Sequence, residues 1–298
     1  MSGFLTVYWR WLRDRRLSTI VWIAGIAVIV VATAAFYPTL SHASGSSLNV
    51  SGGAINSLLG LGQGIDPKSP LGYLWIGLYA NVYPWMLMAL GVVLGVAAIA
   101  GDEDTGGLEY LLARPVTRST VALARFAGMV TILALVAAAS GLSLVICLPV
   151  FDLNESVKTT AASGTVTTSP GATIGDIFNG TFSAFAVGLG LAGVAFLLGA
   201  ATGRKALALG VATVLGVGGY VLYTLSNSTD KLKPLTWISP WRWYVADAML
   251  IKGLTWNVAL PFVLAALSLL VASRLIPANH SGHSRAEVIA FAMTRLLE

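Results

Sequence analysis

The sequence predicts an all-α, polytopic membrane protein: six membrane-spanning helices in one transmembrane domain covering residues 1–298. Three observations predict it. Of the 298 residues, 56% are hydrophobic and only 10% charged, and the mean hydropathy is +0.79, a composition outside the range of ordinary soluble domains. The apolar residues gather in six runs, each long enough to cross about 30 Å of hydrocarbon as a helix. The polar stretches between them are too short to bury a core of their own. The single cysteine, Cys147, lies inside an apolar run, so no intrachain disulfide can form and a cysteine-based zinc site is excluded.

The elements follow in order along the chain. Residues 1–17 mix Phe4, Leu5, Tyr8, Trp9 and Trp11 with a basic cluster, the composition of a helix lying along the cytoplasmic membrane interface. The six spans are placed at 18–36, 72–100, 120–150, 175–202, 206–226 and 257–276. The first is too long and too late for a signal-peptide core and reads as an anchor. The second exceeds a straight crossing and carries Pro84, which predicts tilt or a kink there. Residues 37–71 and 152–173 are rich in Ser, Thr, Gly and Asn and read as flexible external connections without chemistry. Gly188, Gly190, Ala192, Gly193, Gly199, Gly203, Gly210, Gly216, Gly218 and Gly219 crowd the fourth and fifth spans. The pair Gly199 and Gly203 has the spacing that lets membrane helices approach closely. Residues 227–256 contain Arg242, Asp247 and Lys252, which would cost about 3 kcal/mol each at a bilayer centre. This segment therefore predicts an extracytoplasmic interfacial or re-entrant helix, with Trp237, Trp241, Trp243 and Trp256 at headgroup depth. Residues 277–298 form a cytoplasmic tail.

Lysine and arginine placement orients the bundle. With the N-terminus in the cytoplasm, twelve of the eighteen basic residues fall inside, and an even number of spans returns the C-terminus to the same side. The basic residues sit beside apolar spans, so the net charge of +5 reports topology rather than nucleic-acid binding.

Catalytic and metal residues are not predicted. No phosphate-loop motif G-x-x-x-x-G-K-[ST], G-x-S-x-G elbow or H-E-x-x-H pair occurs, and His42, His280 and His283 all lie outside the spans. Arg125, Asp176 and Arg274 lie near span ends, leaving no charge at a span centre for ion coupling. A polar stripe that would line a channel is not evident either. Tyr79, Asn81, Tyr83, Trp85, Tyr220 and Tyr223 stand out as polar or aromatic groups in otherwise aliphatic spans, candidates for a cavity that takes an amphiphilic ligand.

Between the second and third spans lies a charged island, GDEDTGGLEYLLARPVTR, at Gly101 to Arg118. Asp102, Glu103 and Asp104 force the chain out of the lipid. Leu108, Leu111 and Leu112 then recur on one face of a short helix that Pro115 ends. This island resembles the segment E-x-x-x-G-T-L-E-x-L-L-x-x-P-[VI]-[ST]-R that follows the second span in ABC exporter permeases of the second type. Glu103, Gly107, Leu108, Glu109, Leu111, Leu112, Pro115, Val116, Thr117 and Arg118 carry the likeness, with the glycine doubled as Gly106 and Gly107 and the usual threonine missing. The six-span plan, the N-terminal interfacial helix and the Trp-rich segment extend it along the chain. The resemblance implies a permease of the bacterial cell membrane with no enzymatic activity of its own. ATP and magnesium would be held by a separate ATP-binding cassette subunit, and a second copy of the chain or a related permease would complete the transporter. Residues 101–119 would form the cytoplasmic coupling segment, in which Leu108, Leu111 and Leu112 fill a groove on the cassette while Glu109, Arg114 and Arg118 set register. A lipid, drug, antibiotic or peptide would be the substrate. The alternative from the residues alone is a non-transporting membrane scaffold or channel component.

The orientation is testable. In a Cys147→Ala background, cysteines at Ser57, Thr165 and Ser228 should react with a membrane-impermeant thiol reagent in intact cells, whereas cysteines at Ser119 and Ser284 should not. Reversal of the two groups would sink the orientation.

Overall fold

The computed structural model describes residues 3–41, 69–100, 118–160, 166–226, 229–245 and 248–278. Six helices are long and apolar enough to cross a membrane: Arg16–Thr39, Pro70–Ala98, Ser119–Val150, Ile174–Thr202, Lys205–Ser226 and Trp256–Arg274. They match the six predicted spans to within a few residues, because uncharged runs of this length have no other way to satisfy their backbone in lipid.

The chain opens with helix α1 (Gly3–Asp14) and, after the single residue Arg15, enters α2 (Arg16–Ala35). A short helix α3 (Tyr37–Ser41) extends the first span. The second span is broken: α4 (Pro70–Leu74), a π-helical turn at Trp75–Tyr79, then α5 (Val82–Ala98). The third span is α6 (Arg118–Val150), the fourth α7 (Ile174–Thr202) and the fifth α8 (Lys205–Ser226). A 3-10 turn (Asp230–Ile238) and two short helices, α9 (Pro240–Val245) and α10 (Met249–Lys252), precede the last span, α11 (Ala259–Ala278).

Helix α7 is the axis of the bundle. It packs on α5, α6, α8 and α11 and is the most buried span, with the second span next, while α2, α8 and α11 turn most of their surface outward. Its start is fixed by a capping box, in which the Thr173 hydroxyl accepts from the Asp176 amide and the Asp176 carboxylate accepts from the Thr173 amide at 2.9 Å. Its end is Gly203, in the left-handed conformation at φ 62°, whose amide donates to the Gly199 carbonyl at 2.9 Å. Of the Gly199 and Gly203 pair, Gly203 is thus the helix terminus, while a Cβ on Gly199 would lie 3.4 Å from Ala100 Cβ at the end of the second span.

Close packing also runs between α5 and α7. A Cβ placed on Gly91 would meet the carbonyl oxygen of Gly188, one on Gly95 would meet that of Ala192, and one on Gly188 would stand 2.9 Å from that of Leu87. Small residues here bring two backbones into contact. On another face of α7, a Cβ on Gly193 would lie 2.8 Å from Ala265 Cα in α11. In α8, by contrast, Gly210 and Gly218 face open space.

Two further expectations are corrected. The kink assigned to Pro84 lies upstream: Pro84 sits in the first turn of α5, where a missing amide costs least, and the irregular backbone is Trp75–Asn81. The connection after α6 is not wholly irregular. Strands β1 (Val157–Thr160) and β2 (Val166–Ser169) pair antiparallel with Val157 opposite Ser169, their Val and Thr residues suiting a short ribbon.

The seam predicts a contrast. Gly91→Ala should destabilise the detergent-solubilised protein by about 1–3 kcal/mol, the range for overpacking. Gly218→Ala should be neutral or stabilising by up to about 1 kcal/mol, as expected for removing glycine from an open helix position. Thermal unfolding followed by tryptophan fluorescence checks both, and equal midpoints for the two variants would contradict the seam.

Candidate functional site at the broken second span

A helix inside a membrane leaves no room for unpaired backbone groups, so the break at 75–81 shows its chemistry in how those groups are satisfied. The Ala80 amide donates to the Trp75 carbonyl at 2.6 Å, closing the π turn. The Asn81 side-chain amide donates to the Ile76 carbonyl at 3.0 Å. The Tyr79 carbonyl, at the end of the π turn, accepts from the Tyr244 hydroxyl of α9 at 2.8 Å. A side chain 165 positions away in sequence thus repairs the second span.

The hydroxyls around the break are committed as well. Tyr79 Oη pairs with Thr181 Oγ1 of α7 at 2.9 Å. Ser140 of α6 donates to the Ala137 carbonyl at 2.7 Å, so at 2.6 Å it accepts from the Tyr83 hydroxyl. The Tyr79 and Tyr83 rings meet edge to face with centroids 5.2 Å apart, and Trp75 stacks with Tyr244 at 5.9 Å. A Cβ on Gly180 would lie 2.8 Å from both the Tyr79 ring and Leu250 of α10, so glycine there makes room for the second span and the α9–α10 segment together.

That segment re-enters the bundle. Ser239 Oγ donates to the Gly219 carbonyl at 2.8 Å, and the Trp241 indole N–H donates to the Gly216 carbonyl at 3.1 Å. Gly216 lies ten residues inside the end of α8 at Ser226, about 15 Å along the axis and half the thickness of the hydrocarbon. Trp241 is only 1% exposed, whereas Trp256 is 77% exposed. Trp241 is therefore a core residue and not the headgroup anchor expected of it. The Arg242 guanidinium lies 4.1 Å from the Trp237 ring centroid and donates to Thr236 Oγ1 at 2.7 Å, giving the charge partners where the segment turns inward.

The six candidate cavity residues fall into two groups. Tyr79, Asn81 and Tyr83 belong to the satisfied interior of the break. Trp85 and Tyr220 are half-buried and form a triangle with Trp241: centroid distances are 5.4 Å for Trp85 and Tyr220, 4.8 Å for Trp85 and Trp241, and 5.0 Å for Tyr220 and Trp241. Tyr223, one turn beyond Tyr220, is also half-buried. Sequence reasoning missed Ser140, Thr181 and Tyr244, and for these no local signal exists, since each acts through a distant partner. Of the predicted coupling residues, Glu103, Gly107, Leu108, Glu109, Leu111, Leu112, Arg114 and Pro115 lie outside the described residues, and Arg118 is described only as the backbone that opens α6.

The family model described as ABC-2 family transporter protein matches residues 5–276, nearly the whole chain and all six spans. The chain belongs to the ABC-2 transporter family. As an ABC-2 permease it is a multi-pass membrane transport component and not itself a catalyst. No curated protein matches it.

The repaired break of this ABC-2 permease predicts that Tyr244→Phe, which keeps the ring and strands the Tyr79 carbonyl, destabilises it by about 1–3 kcal/mol. Hydrogen exchange at the amides of residues 80–83 should rise, and unchanged exchange there would show that the bond to Tyr244 carries no load.

Proposed function

We propose that the chain is the membrane half of an exporter, two copies of it working with two ATP-binding cassette subunits that bind ATP and magnesium. The observation that carries this reading is the Glu103–Arg118 island, with its leucine face and terminating proline, between the second and third spans of an ABC-2 permease. The lack of a phosphate loop or a charged span centre supports an energy source on a partner. The bias of basic residues supports cytoplasmic termini in a bacterial cell membrane.

The geometry supports a mechanical role for the second span. Its lower half, α5, is interlocked with α7 along the glycine seam, so a displacement delivered where α5 ends travels as a rigid-body motion. Its upper end is the π turn, held by side chains of α7, α6 and the re-entrant segment rather than by a continuous helical ladder. Closure of two cassettes would drive the first end, and the contacts that shape the second would change. Trp85 and Tyr220, packed on the buried Trp241 beside the break, offer half-buried aromatic faces with an indole and a phenol group, a surface suited to an amphiphile such as a lipid, drug or peptide. The outward faces of α2 and α8 leave room for a second copy.

Charge reversal within the island separates coupling from folding. Glu109→Arg and Leu112→Asp should leave insertion and expression at wild-type levels. Both should abolish cassette co-purification or reduce the ATP hydrolysis of the assembled complex at least tenfold. Thr159→Arg, on β1, should do neither. Wild-type association and turnover in both island variants would reduce the segment to a plain loop.

A further inference from the structure

We infer that Arg15 and Arg125 are positioning residues of the coupling unit, a cross-brace that fastens the end of the second span to α1 and α6 so that the three move as one body. The inference deepens the exporter reading and rests on it.

The last carbonyls of α5 have no donor within their own helix and mark the negative end of its dipole. Two guanidiniums from different elements take consecutive ones. Arg125 Nη1 of α6 donates to the Ala98 carbonyl at 2.6 Å, and Arg15 Nη2, from the link between α1 and α2, donates to the Ala97 carbonyl at 3.1 Å. Arg125 is 3% exposed, which is unusual for an arginine one to two turns from a membrane surface. Water at headgroup depth would satisfy those carbonyls without burying a cation, so capping alone does not explain the arrangement.

The brace closes on its third side. The Arg15 guanidinium lies 4.6 Å from the Trp11 ring centroid. Trp11 is itself buried against α6, where a Cβ on Gly128 would meet its ring at 2.7 Å. The Tyr8 hydroxyl pairs with Thr131 Oγ1 of α6 at 3.0 Å, and Val7 clusters with Val121 and Ala124. Each of α1, α5 and α6 is thus tied to the other two at the end from which the second span leads toward the island. A push on that end is shared by three helices instead of bending a single junction.

The test uses the full chain in lipid nanodiscs, alone and assembled with cassette subunits that co-purify with it. In Arg125→Met and Arg15→Met, amide exchange over residues 95–98 should rise at least tenfold. ATP hydrolysis by the assembled complex should fall at least fivefold with cassette binding retained, and Arg125→Lys should recover more than half of it. Raised exchange with wild-type hydrolysis would make the arginines simple helix caps and overturn the proposal, as would unchanged exchange. If Arg125→Met fails to insert, Arg15→Met at its half-buried site decides by the same two readouts. Loss of insertion in Arg125→Lys as well would mark Arg125 as a folding residue only and also overturn it. A wild-type chain that binds no cassette would remove the exporter reading instead, while the exchange measurement still reports on the brace.

Discussion

Hydrocarbon offers a backbone carbonyl nothing to bond with, and the whole arrangement follows from how this chain meets that constraint where its second helix is interrupted. The helix widens into a π turn at Trp75–Tyr79, and the carbonyls of Ile76 and Tyr79 take their donors from side chains. Asn81 supplies one locally. The other comes from Tyr244, which can reach only because the segment before the last span dives into the bundle, and the dive is in turn fixed by Ser239 and Trp241 on the carbonyls of α8. The bond from Tyr244 thereby ties the segment before the last span to the break in the second.

The spans were legible in the sequence because their signal is local: twenty or more uncharged residues need no partner to announce themselves. The N-terminal helix was legible for the same reason, its alternation of aromatics and arginines being a property of one stretch. Pairings were not legible. Glycine is abundant in several spans, and only the structure distinguishes Gly91 and Gly95, where a Cβ would strike another backbone, from Gly210 and Gly218, where it would enter open space. Tryptophan carries the same ambiguity: Trp241 and Trp256 lie in one Trp-rich segment, yet one is core and the other surface. For the candidate site, Tyr79, Asn81, Tyr83, Trp85 and Tyr220 were visible as exceptions in apolar runs. Their division into a bonded interior and an aromatic triangle depends on contacts more than a hundred residues apart, such as that between Tyr79 and Thr181.

Burial is uneven in a way that suits a moving part. The second and fourth spans share the deepest contacts and a glycine seam, while the first, fifth and sixth are peripheral. A bundle built so has a stiff spine and looser flanks. The spine joins both regions of unusual chemistry, the arginine-braced end of α5 and the π turn at its other end, and the glycines of α5 between them are held against the backbone of α7.

The third span adds a property of scale. At 33 residues α6 is about 50 Å long, against a hydrocarbon core of about 30 Å. It must lean or stand clear of the lipid, and bilayer thickness decides how the surplus is divided between the two. Because α1 grips the first part of this helix and Arg125 ties it to α5, a thicker or thinner bilayer shifts the whole braced corner relative to the membrane plane. The lipid surroundings thereby set how far the braced end of α5 stands from the membrane plane.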